Sequence, residues 1–291
     1  MAWVGGNEAM QMGTGSNAPA ANGNQSLGGD GSLKYRDTVI LEAAGVLGIR
    51  AYGNMLLNYA MYKDEFNFGG YIADAATTNV SGNAVGSTRF SETADYGDYL
   101  VTVVDGATNG GETITIADAA NSILTILTDS TSNDTVQVQM NGEPFQITTN
   151  KEMWFQTRVA VTDTTNSLFA SGLCLSSATD VLGAAGNDAV YFSMAQGGLV
   201  SYHVVQNGTD TTGSTGITFL PGIYHTLAFY WNGEETITIS VDGTVVATIV
   251  DNGTTILIPD DEDLTAFIAI ETKNAAAESC TVDYIGVINT R

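Results

Sequence analysis

Residues 235–246 read Glu-Thr-Ile-Thr-Ile-Ser-Val-Asp-Gly-Thr-Val-Val, and this stretch decides the fold class. Isoleucine and valine stand at positions 237, 239 and 241, and hydroxyl side chains stand at 236, 238 and 240. This alternation is what a half-buried antiparallel strand requires. Asp242-Gly243 then supplies a pair that tolerates positive φ, as a two-residue hairpin turn does. The stretch therefore predicts a β-hairpin.

The same period of two recurs from Asp64 to the end of the chain, and it predicts a series of strands. These are Tyr99–Val104, Glu112–Ile116, Ile123–Leu127, Thr135–Met140, Met153–Val161, Leu168–Ser176, Ala189–Met194, Leu199–Gln206, Ile223–Trp231, Glu235–Val241, Thr244–Val250, Leu264–Glu271 and Cys280–Ile288. Asn-Gly or Asp-Gly pairs at 141–142, 207–208, 232–233, 242–243 and 252–253 suit tight turns. No repeat of fixed period is evident, which disfavours a propeller or solenoid. An all-β fold, a large antiparallel β-sandwich, is the economical prediction.

Charge is distributed unevenly along the chain. Residues 1–63 carry four acids and four bases, whereas residues 64–291 carry 28 acids against five bases and hence the whole net charge of −23. Because phosphate binding needs a Lys/Arg footprint, this balance argues against nucleic acid as a partner, and equally against anionic membrane surfaces. Adaptation to a saline habitat is one reading of the acidity. Whatever the cause of the acidity, residues 64–291 are expected to repel copies of themselves and to stay soluble.

The N-terminal part divides into two segments. Residues 1–32 are mostly Gly, Asn, Ala and Ser, with too little apolar surface to offset the entropy of folding. They read either as a disordered tail or as an arm that orders against a partner. Residues 33–63 are rich in apolar side chains but interrupted by glycines at 45, 48 and 53, which fits two short helices or an extended segment. We therefore divide the chain into an N-terminal arm with an apolar attachment segment, 1–63, and an acidic domain, 64–291.

The N-terminus shows no basic region followed by an apolar one, so no signal peptide is expected. The most apolar early stretch, Val39–Tyr62, is interrupted by charged and amide side chains and makes a poor membrane span. Synthesis in a cytoplasm is the resulting expectation. Cys174 and Cys280 are predicted to be buried free thiols, with pairing across adjacent strands as the alternative.

Familiar catalytic and metal-binding motifs are missing from the sequence. The two histidines, His203 and His225, have no Gly-x-Ser-x-Gly elbow beside them. His225 falls in alternation with apolar residues, which predicts a sheet histidine with its hydrogen bonds satisfied. The acidic run Asp260–Asp263 offers oxygen ligands for Ca²⁺ but lacks the spacing of an EF-hand, so a solvated loop is predicted. We expect no catalytic residue, no cofactor and no bound metal.

Four stretches resemble the concanavalin A-like lectin/glucanase jelly roll. They are Met153–Val161, Tyr224–Trp231, Thr236–Val246 and Thr281–Val287. In that family a W-F-x-x-R-V strand precedes an aromatic and aliphatic strand, a V-D-G hairpin follows, and the domain ends on V-D-Y-I/V-x-V. The resemblance implies a jelly roll over roughly residues 64–291, on a scaffold that hosts enzymes, lectins and structural modules alike.

Enzymatic members similar to laminarinases need Glu-x-Asp-x-x-Glu on one strand, where alternation places the carboxylates on one face. None of the twelve glutamates here is followed two positions later by Asp. Glucanase activity is therefore not expected.

The whole layout resembles the decoration or cement proteins on the heads of tailed bacteriophages. This resemblance implies a non-enzymatic virion protein on the outer capsid surface, with the major capsid protein as partner and arm exchange giving a homo-oligomer, by preference a trimer. The residues expected to bind the capsid or sister subunits are Tyr35, Arg36, Val39, Leu41, Leu47, Ile49, Arg50, Tyr52, Leu56 and Tyr59.

A carbohydrate-binding module is the alternative from another class. It would stack Tyr224, Tyr230 or Trp231 on sugars, whereas packing in the core or between subunits is the competing role for these aromatics. A surface-layer protein or adhesin from a saline environment is a third reading, against which the missing signal peptide counts.

Overall fold

The hairpin predicted at residues 235–250 is present in the computed structural model of the protein. Strands Thr236–Val241 and Thr244–Val250 are joined by Asp242 and Gly243, whose φ angles are 50° and 76°. Positive φ at both turn residues is the requirement of a type I′ turn, whose twist matches that of the flanking strands. Asn207 and Gly208, with φ of 49° and 76°, form a second turn of the same kind.

The structure describes residues 26–27, 33–35, 38–39, 59–64, 71–72, 86–90, 99–104, 112–116, 123–140, 142–176, 182, 188–254 and 257–290. Its short early strands are β1 (Ser26–Leu27), β2 (Leu33–Tyr35), β3 (Thr38–Val39), β4 (Tyr59–Asp64), β5 (Tyr71–Ile72) and β6 (Gly86–Phe90). There follow β7 (Tyr99–Val104), β8 (Thr113–Ile116), β9 (Leu124–Leu127), β10 (Thr135–Met140), β11 (Phe145–Gln146), β12 (Met153–Val161), β13 (Ser167–Cys174) and β14 (Ala189–Met194). The last are β15 (Leu199–Gln206), β16 (Thr209–Thr218), β17 (His225–Trp231), β18 (Thr236–Val241), β19 (Thr244–Val250), β20 (Asp263–Thr272) and β21 (Ser279–Thr290).

The chain forms two compact units, Met1–Ala60 with Thr290–Arg291, and Met61–Asn289. In the first unit, β1, β2 and β3 make a small antiparallel sheet. The second unit holds two larger sheets. We call β16-β15-β14-β13-β20-β10-β7-β6 the first sheet, with β11 beside β20. The second sheet runs β19-β18-β17-β12-β21-β9-β8-β5, with β4 beside β21.

The two large sheets pack as an antiparallel sandwich, which confirms the predicted fold class. Alternate residues of both sheets meet in one core cluster, to which the first sheet contributes Phe192 and Ile268 and the second contributes Phe155 and Ile239. Phe155 and Phe229, opposite each other on β12 and β17, stack with ring centroids 5.1 Å apart. Such aromatic burial supplies much of the hydrophobic stabilisation of a sandwich.

Strands with a clear apolar face were predicted closely. Six match residue for residue, namely β7, β10, β12, β14, β15 and β19, and the other predicted strands differ by one or two residues at an end. Strand β16 was not predicted. Its sequence, Thr-Asp-Thr-Thr-Gly-Ser-Thr-Gly-Ile-Thr, has no apolar alternation, because it is an exposed edge strand held by pairing with β15.

Both cysteines are buried and free, as the favoured reading of the sequence has it. Cys174 lies on the outward side of the first sheet, where its sulfur accepts a hydrogen bond from Gln139 Nε2 at 3.5 Å. Cys280 lies in the core cluster between the sheets. Within the described part of the chain, no helix is long and apolar enough to cross a membrane.

Candidate functional site

The outward side of the first sheet carries a chain of hydrogen bonds through Ser193, His203 and Asp210. Ser193 Oγ lies 2.8 Å from His203 Nε2, and His203 Nδ1 lies 2.8 Å from Asp210 Oδ2. Because a carboxylate only accepts, His203 donates from Nδ1 to Asp210, and in the neutral imidazole its Nε2 then accepts from the Ser193 hydroxyl. This order of hydroxyl, imidazole and carboxylate is that of a nucleophile, a base and the group that orients the base.

The turn at Asn207-Gly208 sets this arrangement. It pairs Val205 with Asp210, and thereby places Asp210 diagonally across from His203 on the same side of the sheet. This cluster was not predicted from the sequence, because its three members lie on three strands and β16 was not predicted. The Asn207-Gly208 pair could have revealed this register. A two-residue turn at 207–208 pairs position 206 with 209, and hence 205 with 210.

The Tyr191 ring stacks face to face on the His203 ring. The two residues are directly opposite on β14 and β15, and their rings stack with centroids 4.4 Å apart and 6° between planes. Burial, followed by the negative charge of Asp210, raises the pKa of Tyr191 to about 12. Gly172 lies opposite Tyr191 on β13, where an added Cβ would lie 2.5 Å from the Tyr191 Cα. The missing side chain lets Tyr191 lie tightly against β13.

In the described strands around Ser193, no backbone amide is placed to stabilise the oxyanion of an acyl transfer. Ser193 lies inside β14, opposite Ala170 of β13 on one side and Ser201 of β15 on the other. Backbone amides at such a position point along the sheet into the neighbouring strands, and not toward an oxygen above the sheet. An oxyanion needs amide or side-chain donors aimed at it. The geometry favours a positioning network over a nucleophile.

The second histidine makes a similar pair. His225 Nδ1 lies 2.7 Å from Asp242 Oδ2, and the His225 ring stacks on Phe219 with centroids 4.4 Å apart. Asp242 also accepts from the Thr226 amide at 2.8 Å. His225 therefore ties the start of β17 to the β18–β19 turn, which agrees with a sheet histidine. The prediction that its hydrogen bonds are satisfied is wrong for Nε2, which is buried and has no hydrogen-bond partner among the described residues.

The three aromatics considered for sugar binding lie in different surroundings. Trp231 is 2% exposed, belongs to the core cluster, and donates from Nε1 to the Thr148 carbonyl at 3.2 Å. It is thus a core residue and cannot stack on a sugar. Tyr230 and Tyr224 are half-buried. Tyr230 donates to Glu152 at 3.0 Å and stacks on Trp154 at 5.0 Å.

Tyr224 is joined to an ion pair. The Arg158 guanidinium carbon lies 4.5 Å from the centre of the Tyr224 ring, and Arg158 Nη1 lies 2.5 Å from Asp283 Oδ2. Arg158 and Tyr230 lie on the side of the second sheet that faces away from the core, because they alternate with the core residues Phe155 and Phe229. The structure thus places Tyr224 and Tyr230 in separate contacts.

Most of the residues predicted to bind the capsid or sister subunits lie outside the described residues. These are Arg36, Leu41, Leu47, Ile49, Arg50, Tyr52 and Leu56. Tyr35, Val39 and Tyr59 lie in β2, β3 and β4. The attachment role of this set stays a prediction.

Carboxylates gather at two places. One oxygen each of Glu112, Asp129 and Asp134 lie within 4.8 Å of one another, and these are the residues in the described part of the chain whose geometry suits a hard cation such as Ca²⁺. The run Asp260–Asp263 is an exposed segment, as predicted. Gln206 Nε2 donates to Asp260 at 3.0 Å and to Asp261 at 3.2 Å, so this run is held by the β15–β16 turn.

No protein-family model matches the chain, and no curated protein matches it. Among solved structures, an endo-1,3-β-glucanase from Streptomyces sioyaensis is similar, with a TM-score of 0.52 and 13% identity over 80% of this chain and 97% of its own. The laminarinase from Rhodothermus marinus is also similar, with a TM-score of 0.49 and 15% identity over 81% of this chain and 99% of its own. The carbohydrate recognition domain of Emp46p has a TM-score of 0.46 and 8% identity, over 65% of this chain and 87% of its own. At 13% identity, the likeness to the Streptomyces glucanase, whose TM-score is 0.52, shows the fold alone, a jelly-roll β-sandwich.

Proposed function

We propose that this protein is a non-enzymatic structural protein of a virion. In this role it decorates the outer surface of a bacteriophage head, binds the major capsid protein through residues 1–63, and stabilises the shell. Copies associate as a homo-oligomer, by preference a trimer, through exchange of their arms. In this role the jelly-roll domain lies on the outer surface of the capsid, and the N-terminal segment attaches it there.

The observation that carries the proposal is the contrast between the two parts of the sequence. Residues 1–63 are uncharged in sum, residues 33–63 among them are rich in apolar side chains, and residues 64–291 hold the whole charge of −23. A segment with no net charge and many apolar side chains can lie across a protein shell, because burial of its apolar surface is favourable and adds no net repulsion. A strongly negative body is repelled by packaged DNA and is best placed outside the shell.

The ion pairs of the body agree with that reading. Of the three cations whose side chains the structure describes, Arg158 pairs with Asp283, and Lys273 pairs with Glu271. The remaining one, Lys151, is exposed. Two of the three described cations of the body are therefore neutralised in place, which supports a negative field outside it.

The lack of an enzymatic role rests on two observations. The sequence has no Glu-x-Asp-x-x-Glu strand for glucan hydrolysis. The Ser193–His203–Asp210 chain lies in the middle of a sheet, where backbone amides serve strand pairing.

Binding to undecorated heads tests the proposal. A chain lacking residues 1–63 is compared with the full chain by co-sedimentation with heads of the phage that encodes it, after circular dichroism has confirmed its β structure. Loss of binding is expected. A matched variant, Tyr230→Ala in the full chain, should bind as the wild type does. Full-affinity binding by the truncated chain would overturn the attachment role.

Glycan binding is the second candidate, favoured by the half-buried Tyr230 and Tyr224 on the second unit. Aromatic faces stack on sugar rings when part of the ring stays accessible. A glycan array measures saturable binding by the wild type, which should fall in Tyr230→Ala or Tyr224→Ala and persist in the control Val245→Ala. A flat response across the array removes this candidate.

A further inference from the structure

Lys273, Asn133 and Glu271 meet at one end of the pairing between β10 and β20. Thr135 of β10 lies directly opposite Glu271 of β20, and just beyond the strand the Asn133 amide donates to the Thr272 carbonyl at 2.7 Å. The same register places Asn133 opposite Lys273. Residues directly opposite each other carry their side chains on the same side of a sheet. Two positions 140 residues apart in the sequence are thus held side by side.

The three side chains meet at the Lys273 nitrogen. Lys273 Nζ lies 3.2 Å from Asn133 Oδ1 and is in direct contact with Glu271 Oε1. The backbone on both sides is held as well: Asn133 adopts a φ of 69° in its turn, and the Lys273 amide donates to the Asn166 carbonyl at 2.6 Å. An amine, a carboxamide and a carboxyl group are therefore within reach of one another.

The burial of these groups suits a reaction between the lysine and the asparagine. The side chains of Glu271 and Lys273 are 6% and 25% exposed, while Asn133 is exposed. A buried ion pair carries a desolvation cost for both charges, and this cost is relieved when a proton moves from the ammonium to the carboxylate. Such a transfer leaves a neutral amine, which is the nucleophilic form of lysine. The exposed side of Asn133 gives a leaving group access to solvent.

We propose that Lys273 and Asn133 become joined by an isopeptide bond, which is an amide between their side chains. Lys273 Nζ gives one proton to Glu271 and forms a bond to Asn133 Cγ, and the Cγ–Nδ2 bond breaks. The departing Nδ2 group takes one proton from Nζ and one from Glu271, and it leaves as ammonium. Glu271 returns to its carboxylate form, and the reaction needs no oxidant and no further reactant.

Proximity and Glu271 supply the catalysis that this reaction needs. Reacting groups held about 3–3.5 Å apart react as if they were at very high concentration. Once protonated, the Glu271 carboxyl is an O–H donor beside Asn133 Oδ1, where negative charge develops as the new bond forms. The reaction takes place once in each chain, so a slow rate is sufficient.

The bond ties β10 to β20, which are neighbours in the first sheet. A covalent link between distant positions restricts the unfolded chain, as a disulfide does. This inference goes beyond the proposed function and does not depend on it, because it concerns side chains of the folded body alone.

Mass spectrometry of the denatured full-length protein tests the bond. The wild type is expected to be lighter than its sequence by the mass of one ammonia. Trypsin does not cut after a lysine whose amine is acylated, so residues 90–151 should stay joined to residues 159–291 after digestion. A succinimide at an Asn-Gly pair also loses ammonia, but it joins no peptides.

Four variants locate the bond. Lys273→Arg keeps the positive charge and Asn133→Gly tolerates the φ of 69°, but neither variant can form the amide. Both should show their full sequence mass. Glu271→Gln cannot take up the proton and should form the bond about 100-fold more slowly or less. The control Lys151→Arg, at an exposed lysine, should keep the mass loss and the joined peptides. Circular dichroism confirms that each variant is folded.

Four results would overturn the proposal. A wild type of full sequence mass would show that Lys273 and Glu271 form an ion pair and nothing more. A loss of ammonia that persists in Lys273→Arg would assign the loss to a succinimide. A loss of one water that persists in Asn133→Gly would assign the amide to Glu271 and not to Asn133. Bond formation at the wild-type rate in Glu271→Gln would remove the proton transfer on which the reaction depends.

Discussion

Glu278 and Asp163 are two carboxyl residues held beside each other, because the neighbouring Thr162 amide donates to the Ser279 carbonyl at 2.9 Å. Glu278 is 4% exposed and directly precedes β21, while Asp163 follows β12. Burial first, and then the charge and hydrogen bond of Asp163, raise the pKa of Glu278 above its ordinary value of 4.5. Hydrogen bonds from the Asn166 side chain and the Thr165 amide lower the pKa of Asp163. The pKa values of the two carboxyl groups are therefore shifted in opposite directions, upward for Glu278 and downward for Asp163.

The first prediction concerns Glu278→Gln. A raised folded-state pKa contributes stability that is complete below about pH 4.5 and is lost as the pH rises through the raised value. Once ionised, Glu278 is a buried negative charge beside Asp163, whereas glutamine stays neutral at every pH. We expect a higher Tm for Glu278→Gln at pH 7 and no gain at pH 4. Each kcal/mol corresponds to about 2–4 °C in a domain of this size.

Asp163→Asn and Glu262→Gln complete the pH test. The lowered pKa of Asp163 contributes stability above its ordinary value, which is lost as the pH falls. Asp163→Asn should therefore lower the Tm at pH 7, and this loss should shrink toward pH 3. Glu262 is exposed, so Glu262→Gln should leave the pH profile unchanged. Equal profiles for Glu278→Gln and wild type between pH 4 and 8 would contradict the account of the pair.

The second prediction compares two glycines. Gly172→Ala places a Cβ 2.3 Å from the Val190 carbonyl oxygen and 2.5 Å from the Tyr191 Cα. These are backbone atoms of a paired strand and cannot move aside, so we expect a loss of about 3 kcal/mol or more. The Cβ of Gly243→Ala would have no atom within 4 Å. This substitution should therefore lower the free energy of unfolding only through the strained φ of 76°, by about 1 kcal/mol. Urea unfolding measures both, and equal losses would show that β13 and β14 tolerate separation at Gly172.

These two glycines also show what the sequence reveals. Gly243 follows Asp242 between alternating strands, and this local pattern is sufficient to predict its turn. Gly172 gives no local sign, because its role depends on Tyr191 of a neighbouring strand. The same limit applies to His203 and Asp210, which meet only through the register of β16. Local alternation predicts strands with an apolar face, but an edge strand such as β16 is stabilised by pairing and stays invisible to it.

The third prediction concerns the core pair Phe155 and Phe229. Both are fully buried and stack across β12 and β17. Phe155→Ala removes this contact and leaves a cavity, at a cost of about 3–5 kcal/mol. Val245→Ala, at an exposed position, should stay within about 0.5 kcal/mol of the wild type. Urea midpoints measure the difference, and a loss of less than about 1 kcal/mol at Phe155 would place it outside the packed core.

The fourth prediction concerns the thiols. Burial raises the pKa of Cys174 and of Cys280 to about 12. Because the thiolate is the reactive species, neither should react with Ellman's reagent in the folded protein at pH 8. Both should react at once in guanidinium chloride. A disulfide would instead leave both unreactive in denaturant until a reductant is added, and this outcome would contradict the two free thiols.

The fifth prediction concerns Ser193. Its hydrogen bond to His203 suggests an activated hydroxyl, but activation alone does not produce acyl transfer. Among the described residues, the backbone amides around Ser193 serve the pairing of β14 with β13 and β15 and are not aimed at an oxyanion. One such donor is worth about 10²–10³ in rate. A fluorophosphonate probe should therefore leave the wild type unlabelled, as it leaves Ser193→Ala. Labelling of the wild type that disappears in Ser193→Ala and in His203→Gln would instead identify a nucleophile, and with it an enzymatic role that the proposed function excludes.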